Sequence, residues 1–197
     1  MRLSPSTDLT MHFMNPRLIC FALALPLVLA APVSAQNGEE AYRSAGQWTV
    51  QVRTSVSEPF IQDEEGTWLG AGLLVDSTRG WILTNAHVAG RSYGKVNVAF
   101  EDGKAIPARR VYVDPYLDLA VLAYDTQRVA AKRATPTLDC AAMPPVGHPV
   151  GAFGHPWGFR FTGTRGIISA VTTRMGPNML QTDAPINEGN SGGPLIS

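Results

Sequence analysis

The sequence predicts an all-β fold made of two small β units, and three observations carry that prediction. Glycine and proline are frequent, at 19 and 15 of 197 residues, as chains with many turns require. Apolar residues fall in short alternating or continuous runs, without heptads or internal repeats. These runs gather into two groups, separated near 127–145 by a stretch that mixes charge, proline and small residues.

Residues 1–35 read as a targeting segment. Arg17 precedes "LICFALALPLVLA" (Leu18 to Ala30), which is too short to span a bilayer comfortably and the right length for a signal core. Val33 and Ala35 form an A-x-A-like site in "APVSAQ". They place cleavage after Ala35, leave no stable membrane span, and imply export. An uncleaved anchor is the alternative, disfavoured by Pro26 inside the run. The residues before Met14 lack signal character, which makes Met14 a candidate start. Removing 35 residues leaves 162, with 14 basic and 15 acidic side chains.

The polar "QNGEEAYRSAGQ" (36–47) reads as a flexible lead-in. From Trp48, "WTVQVRTSV" alternates Trp48, Val50 and Val52 against Thr49, Gln51 and Arg53, the period of a half-buried strand. "GAGLLVDSTRGWILTNAH" reads as two strands joined by a turn at Asp76–Gly80. "KVNVAFEDGKAIPARRVYV" reads as a second hairpin, with Asp102 and Gly103 expected at positive-φ turn positions. The continuous apolar run "LDLAVLAYD" predicts a buried strand. The first unit therefore covers about 48–126 and the connector about 127–145. The second unit, about 146–197, takes its strands from "VGAFGH", "TGTRGIISAVTTR" and "NMLQTDA".

Composition excludes several function classes. A formal net charge of zero gives no electrostatic footprint for nucleic acid, and no glycine-rich phosphate loop opens a helix. Cys20 lies in the signal core, so Cys140 is the one thiol of the mature chain; it reads as a small buried apolar residue, with no internal disulfide. His148 and His155 lie seven apart without a Cys or carboxylate cluster beside them, so they read as loop residues. No metal and no cofactor are expected. Trp48, Trp68, Trp81 and Trp157 fit core or interface packing better than a carbohydrate platform.

Three places carry candidate chemistry: His87 after the apolar strand "WILTN", Asp118 at the start of "DLAVL", and Ser191 in "GNSGGP". Each alone is ordinary, since a lone histidine, a strand-edge aspartate and a Gly-Ser-Gly turn are common. Together they supply what nucleophilic acyl transfer needs. A serine hydroxyl requires a base to take its proton, imidazole accepts and returns protons near neutrality, and a carboxylate at the other ring nitrogen fixes the tautomer. "GAGLLVDSTRGWILTNAHV", "DLAVL", "TRGIISA" and "QTDAPINEGNSGGPL" resemble the HtrA/DegP family of trypsin-like serine proteases, from about Trp48 to the last residue.

The resemblance implies a two-barrel trypsin-like (chymotrypsin-type) fold with the active site between the barrels. It implies His87 as general base, Asp118 as its orienting carboxylate, Ser191 as nucleophile, and the N–H groups of Gly189 and Ser191 as oxyanion hole. Pro185 stands six residues before the serine, at the expected base of the S1 pocket, and being uncharged it favours a small or medium apolar P1 side chain. The family's usual asparagine is replaced by His155 in "GHPWG". The resemblance further implies a periplasmic or secreted endopeptidase acting on misfolded or unfolded proteins, and a homotrimer with contacts from the N-terminal segment that holds Tyr42. Family strands that follow the nucleophile have no counterpart in this sequence. The expectation is thus an incomplete second barrel and a truncated fragment of a longer protease, with the activity of the fragment by itself left open. A non-catalytic binding or chaperone-like module on the same fold, and an esterase-type acyl hydrolase, are the alternative readings.

Overall fold

The computed structural model describes residues 33–60, 63–129, 133–140, 142–173 and 178–197, so nearly all of the predicted signal segment lies outside the described residues. The described residues open with helix α1 (Val33–Trp48), which enters β1 (Thr49–Val56) without a break. The expected cleavage point after Ala35 falls in the first turn of α1. The mobile lead-in expected over 36–47 is therefore helix. Ala45 and Gly46 are buried, and the Tyr42 hydroxyl donates to the Thr164 carbonyl at 2.6 Å. Tertiary docking fixes this segment, which its polar composition does not announce. Tyr42, the candidate trimer contact, is engaged by its own chain.

Strands β2 (Gly66–Asp76), β3 (Trp81–Thr84), β4 (Lys95–Ala99), β5 (Ile106–Asp114) and β6 (Leu119–Tyr124) join β1 in a closed barrel of order β1-β2-β3-β6-β5-β4. Closure leaves no unpaired strand edge. The alternating residues of β1 bury Val50 and Val52 completely, against Leu74, Ile82, Val98 and Leu122, each also fully buried. The β2–β3 turn forms where predicted: the Asp76 carboxylate accepts from the N–H groups of Thr78 and Arg79 at 2.8 and 2.9 Å, and Gly80 takes φ 66°. The β4–β5 connection differs from expectation. Neither Asp102 nor Gly103 has positive φ, because six residues separate the strands and no tight two-residue turn is needed. Asp102 instead accepts from Arg133 at 2.6 Å.

After a short 3₁₀ turn at Thr126–Arg128, the described connector has no regular structure, and Cys140 there is exposed rather than buried. The reason is local: this stretch packs no strand face against a core. Strands β7 (Pro149–Gly154), β8 (Thr162–Thr173), β9 (Asn178–Thr182) and β10 (Leu195–Ile196) form a four-stranded antiparallel sheet of order β10-β7-β8-β9. Phe153 of β7 joins the core that the barrel builds with Trp48, Val50 and Phe100, so the sheet and the barrel share one apolar interior. Among the described residues, no helix is long and apolar enough to cross a membrane.

Candidate active site

The pairing of β3 with β6 brings the first two candidate residues together. Thr84 lies opposite Ala120 in antiparallel register, so the residues just after β3 meet those just before β6. There the chain makes a single helical turn, α2 (Ala86–Ala89). Asn85 Nδ2 donates to the Asp118 carbonyl at 2.9 Å, and the Ala86 N–H donates to the same oxygen at 3.1 Å. The Asp118 carboxylate in turn receives the His87 backbone N–H at 3.0 Å and faces His87 Nδ1 at 2.7 Å. A carboxylate only accepts, so Nδ1 carries the proton and Nε2 is left as an acceptor, the tautomer a general base needs. The Asp118 side chain is 40% exposed. Its neighbours Tyr116, Leu117 and Leu119 are themselves exposed and do not cover it.

The Ser191 loop is held from both halves of the fold. The Ser191 carbonyl accepts from Ala71 N–H of β2 at 2.8 Å, tying the loop to the barrel. Gly192 (φ 81°) and Gly193 allow this approach. A Cβ on Gly192 would stand 2.2 Å from the Ala71 carbonyl, and one on Gly193 2.3 Å from that of Phe153. From the other side, the 3₁₀ turn Pro156–Gly158 that follows β7 anchors two successive carbonyls. His155 N–H donates to Gly189 O at 3.1 Å, and Trp157 N–H donates to Glu188 O at 2.8 Å. Among the described residues, no acceptor takes the N–H of Gly189 or Ser191. Glycine at 189 is required twice over, by φ 98° and by the His155 carbonyl, which a Cβ would meet at 2.1 Å.

His87 and Ser191 line one cleft of about 730 Å³, together with Trp68, Trp157, Glu188 and Gly189. Pro185 is not part of that lining; it is exposed, and its carbonyl accepts from Thr164 Oγ1 at 2.9 Å. Among the described residues, no group of three or more His, Cys, Asp or Glu is placed to hold a metal. Among the described residues, the non-glycine residues with positive φ are Asp118 (51°), Trp157 (50°) and Phe161 (54°). Such strain gathers at functional sites; here Trp157 lines the cleft, Asp118 bonds His87 and Phe161 bonds His155.

His155 lies in the loop between β7 and the 3₁₀ turn, as its sequence reading has it. It is completely buried there, and its Nδ1 accepts from Phe161 N–H at 3.1 Å. Its ring meets Phe161 edge-on at 4.7 Å. Burial pushes its pKa down to about 4; the nearby Val50 carbonyl works the other way, and the positive Arg160 adds to the fall. Asn85, Trp157 and Trp68, whose indole N–H donates to the Val88 carbonyl at 2.9 Å, also shape the site. Only Asn85, two residues before His87, had a local signal that could have found it.

A closed six-stranded barrel facing a second antiparallel sheet, with the cleft at their junction, agrees with the fold of the trypsin-like peptidases. The sequence model of the trypsin-like peptidase domain matches residues 70–197, and the chain belongs to that family. Within the family it is similar to HtrA-type proteases. It is 42% identical over 137 residues to serine endoprotease DegS of Escherichia coli (strain K12), covering 66% of this chain and 36% of that protein. It is 34% identical over 157 residues to periplasmic serine endoprotease DegP of the same strain, covering 72% and 32%. A solved structure of the HtrA-type protease AlgW with a tripeptide matches with TM-score 0.65 at 31% identity, over 79% of this chain and 50% of that one. The chain spans about a third of the length of these curated relatives.

Proposed function

We propose that this chain is the peptidase domain of an exported serine endopeptidase, in which Ser191 attacks the substrate carbonyl while His87 Nε2 takes its proton. Asp118 holds His87 in the productive tautomer and stabilises the imidazolium. The oxyanion lies against the N–H groups of Gly189 and Ser191, each donor lowering the barrier by roughly 3–4 kcal/mol. Collapse breaks the C–N bond, His87 returns the proton to the leaving amine, and water repeats the sequence on the acyl-enzyme to release the acid. The observation that carries this reading is the pair of hydrogen bonds that His87 donates, from its backbone N–H and its ring, to the Asp118 carboxylate, in a cleft His87 shares with Ser191.

Substrates are unfolded proteins cut after small or medium apolar residues. The site of action is the periplasm or the cell exterior, and the protein assembles as a homotrimer. The names of the relatives, a periplasmic endoprotease among them, support the export and protein-substrate parts of this reading. The test compares wild type with Ser191→Ala for labelling by a fluorophosphonate and for casein hydrolysis. Labelling and hydrolysis by wild type alone are expected. A wild type inert in both assays refutes the reading, and labelling without casein cleavage converts it to a small-acyl hydrolase. Peptide libraries showing cleavage chiefly after Arg or Lys would refute the P1 preference.

A further inference from the structure

A peptide unit is planar and trans, so its carbonyl and N–H point in opposite directions. Trp157 N–H holds the Glu188 carbonyl at 2.8 Å on the side of the 3₁₀ turn, which sends the Gly189 N–H to the opposite side. His155 N–H holds the next carbonyl, Gly189 O, and Pro156 between them has no N–H to compete. The orientation of the peptides on either side of Gly189 therefore depends on where the turn sits. The turn is placed by one side chain, because the His155 ring is completely buried, accepts from Phe161 N–H and packs edge-on against the Phe161 ring. The His155 carbonyl closes the turn by accepting from Gly158 N–H at 3.0 Å, and the same carbonyl abuts Gly189.

We infer that His155 is a positioning residue for the oxyanion hole: its ring, as acceptor for Phe161 N–H, pins the turn whose backbone aims the Gly189 N–H. The inference rests on the proposed role of Ser191 and Gly189. It specifies a contribution in the transition state, since the ring touches no substrate and the hole engages only as charge develops.

The test replaces His155 by Leu, which fills volume without an acceptor, and by Asn, whose Oδ1 can take the same N–H. Turnover of a peptide substrate is counted per site titrated with a fluorophosphonate, so that unfolded molecules drop out. For His155→Leu, kcat falls about tenfold with KM within twofold, and affinity for a peptide boronate falls in parallel; His155→Asn recovers kcat to within about threefold. If the Leu variant does not fold, an ester linkage in place of the Phe161 amide removes the donor of the same bond and gives the same loss. An unchanged kcat in the Leu or ester protein overturns the inference while leaving the proposed function intact. So does a loss shared equally by Asn and Leu, or one carried by KM. A wild type that neither labels nor cleaves overturns the proposed function and this inference with it.

Discussion

Acid should weaken this fold through His155 well before its carboxylates protonate. In the unfolded chain the imidazole takes a proton near pH 6.5, whereas in the fold it does so only near pH 4, chiefly because burial disfavours the charged ring. Between these values the unfolded state binds the extra proton, so stability is fully present above 6.5 and declines as the pH falls. The full difference corresponds to roughly 3 kcal/mol, with about half lost by pH 5.5 and no further loss from this residue well below pH 4. The assay is urea unfolding followed by tryptophan fluorescence at pH 7, 5.5 and 4, for wild type and for His155→Asn, which cannot titrate. Both proteins share Asp63, Asp76, Asp102 and Asp114, whose pKa values are lowered, so their contributions cancel in the difference. Wild type loses roughly 3 kcal/mol more than the variant between pH 7 and 4. Parallel curves across that range would refute the buried, neutral ring.

Asp118→Asn keeps the shape of the His87 contact but favours the wrong tautomer. It lowers kcat on a peptide substrate by about 10⁴-fold, and a loss below tenfold would contradict the assigned role. Gly189→Ala drives a methyl group toward the His155 carbonyl at a strained φ. Phosphonate labelling of Ser191 slows by at least tenfold, whereas labelling at the wild-type rate would mean the loop tolerates a side chain there. Leu122→Ala, at a completely buried position of the barrel core, lowers unfolding free energy by about 2–5 kcal/mol in urea titrations. Tyr42→Phe removes the hydroxyl bond to Thr164 and costs about 1 kcal/mol by the same measurement, which an unchanged midpoint would exclude.

The strands were readable because their signal is local. The alternation in β1 and the unbroken run in β6 each state which residues face the core, and the β2–β3 turn carries its own Asp and Gly chemistry. The adjacency of His87 and Asp118 was implicit as well, since each flanks an apolar strand and those two strands pair. What the sequence hid depends on distant partners. Nothing in "QNGEEAYRSAGQ" announces a helix; its docking comes from Tyr42 against Gly151 and Gly163, more than 100 residues away. His155 reads as a loop residue beside Pro156, and only the packing of Phe161 and the Ser191 loop makes that loop position interior. Cys140 failed in the opposite sense, because small apolar character does not bury a residue when its segment has no face to present.

The two anchors of the Ser191 loop also bear on how the protein is made. One anchor is Ala71, about 120 residues earlier in the chain, and the other is the turn at 155–157. Contacts at such separation cost loop-closure entropy before they contribute stability. A nascent chain whose barrel has closed still has no ordered partner for the glycines, and a sheet formed without the barrel has no Ala71 to receive the serine carbonyl. The geometry of the Ser191 loop is thus the product of complete assembly. A half-folded molecule lacks that geometry.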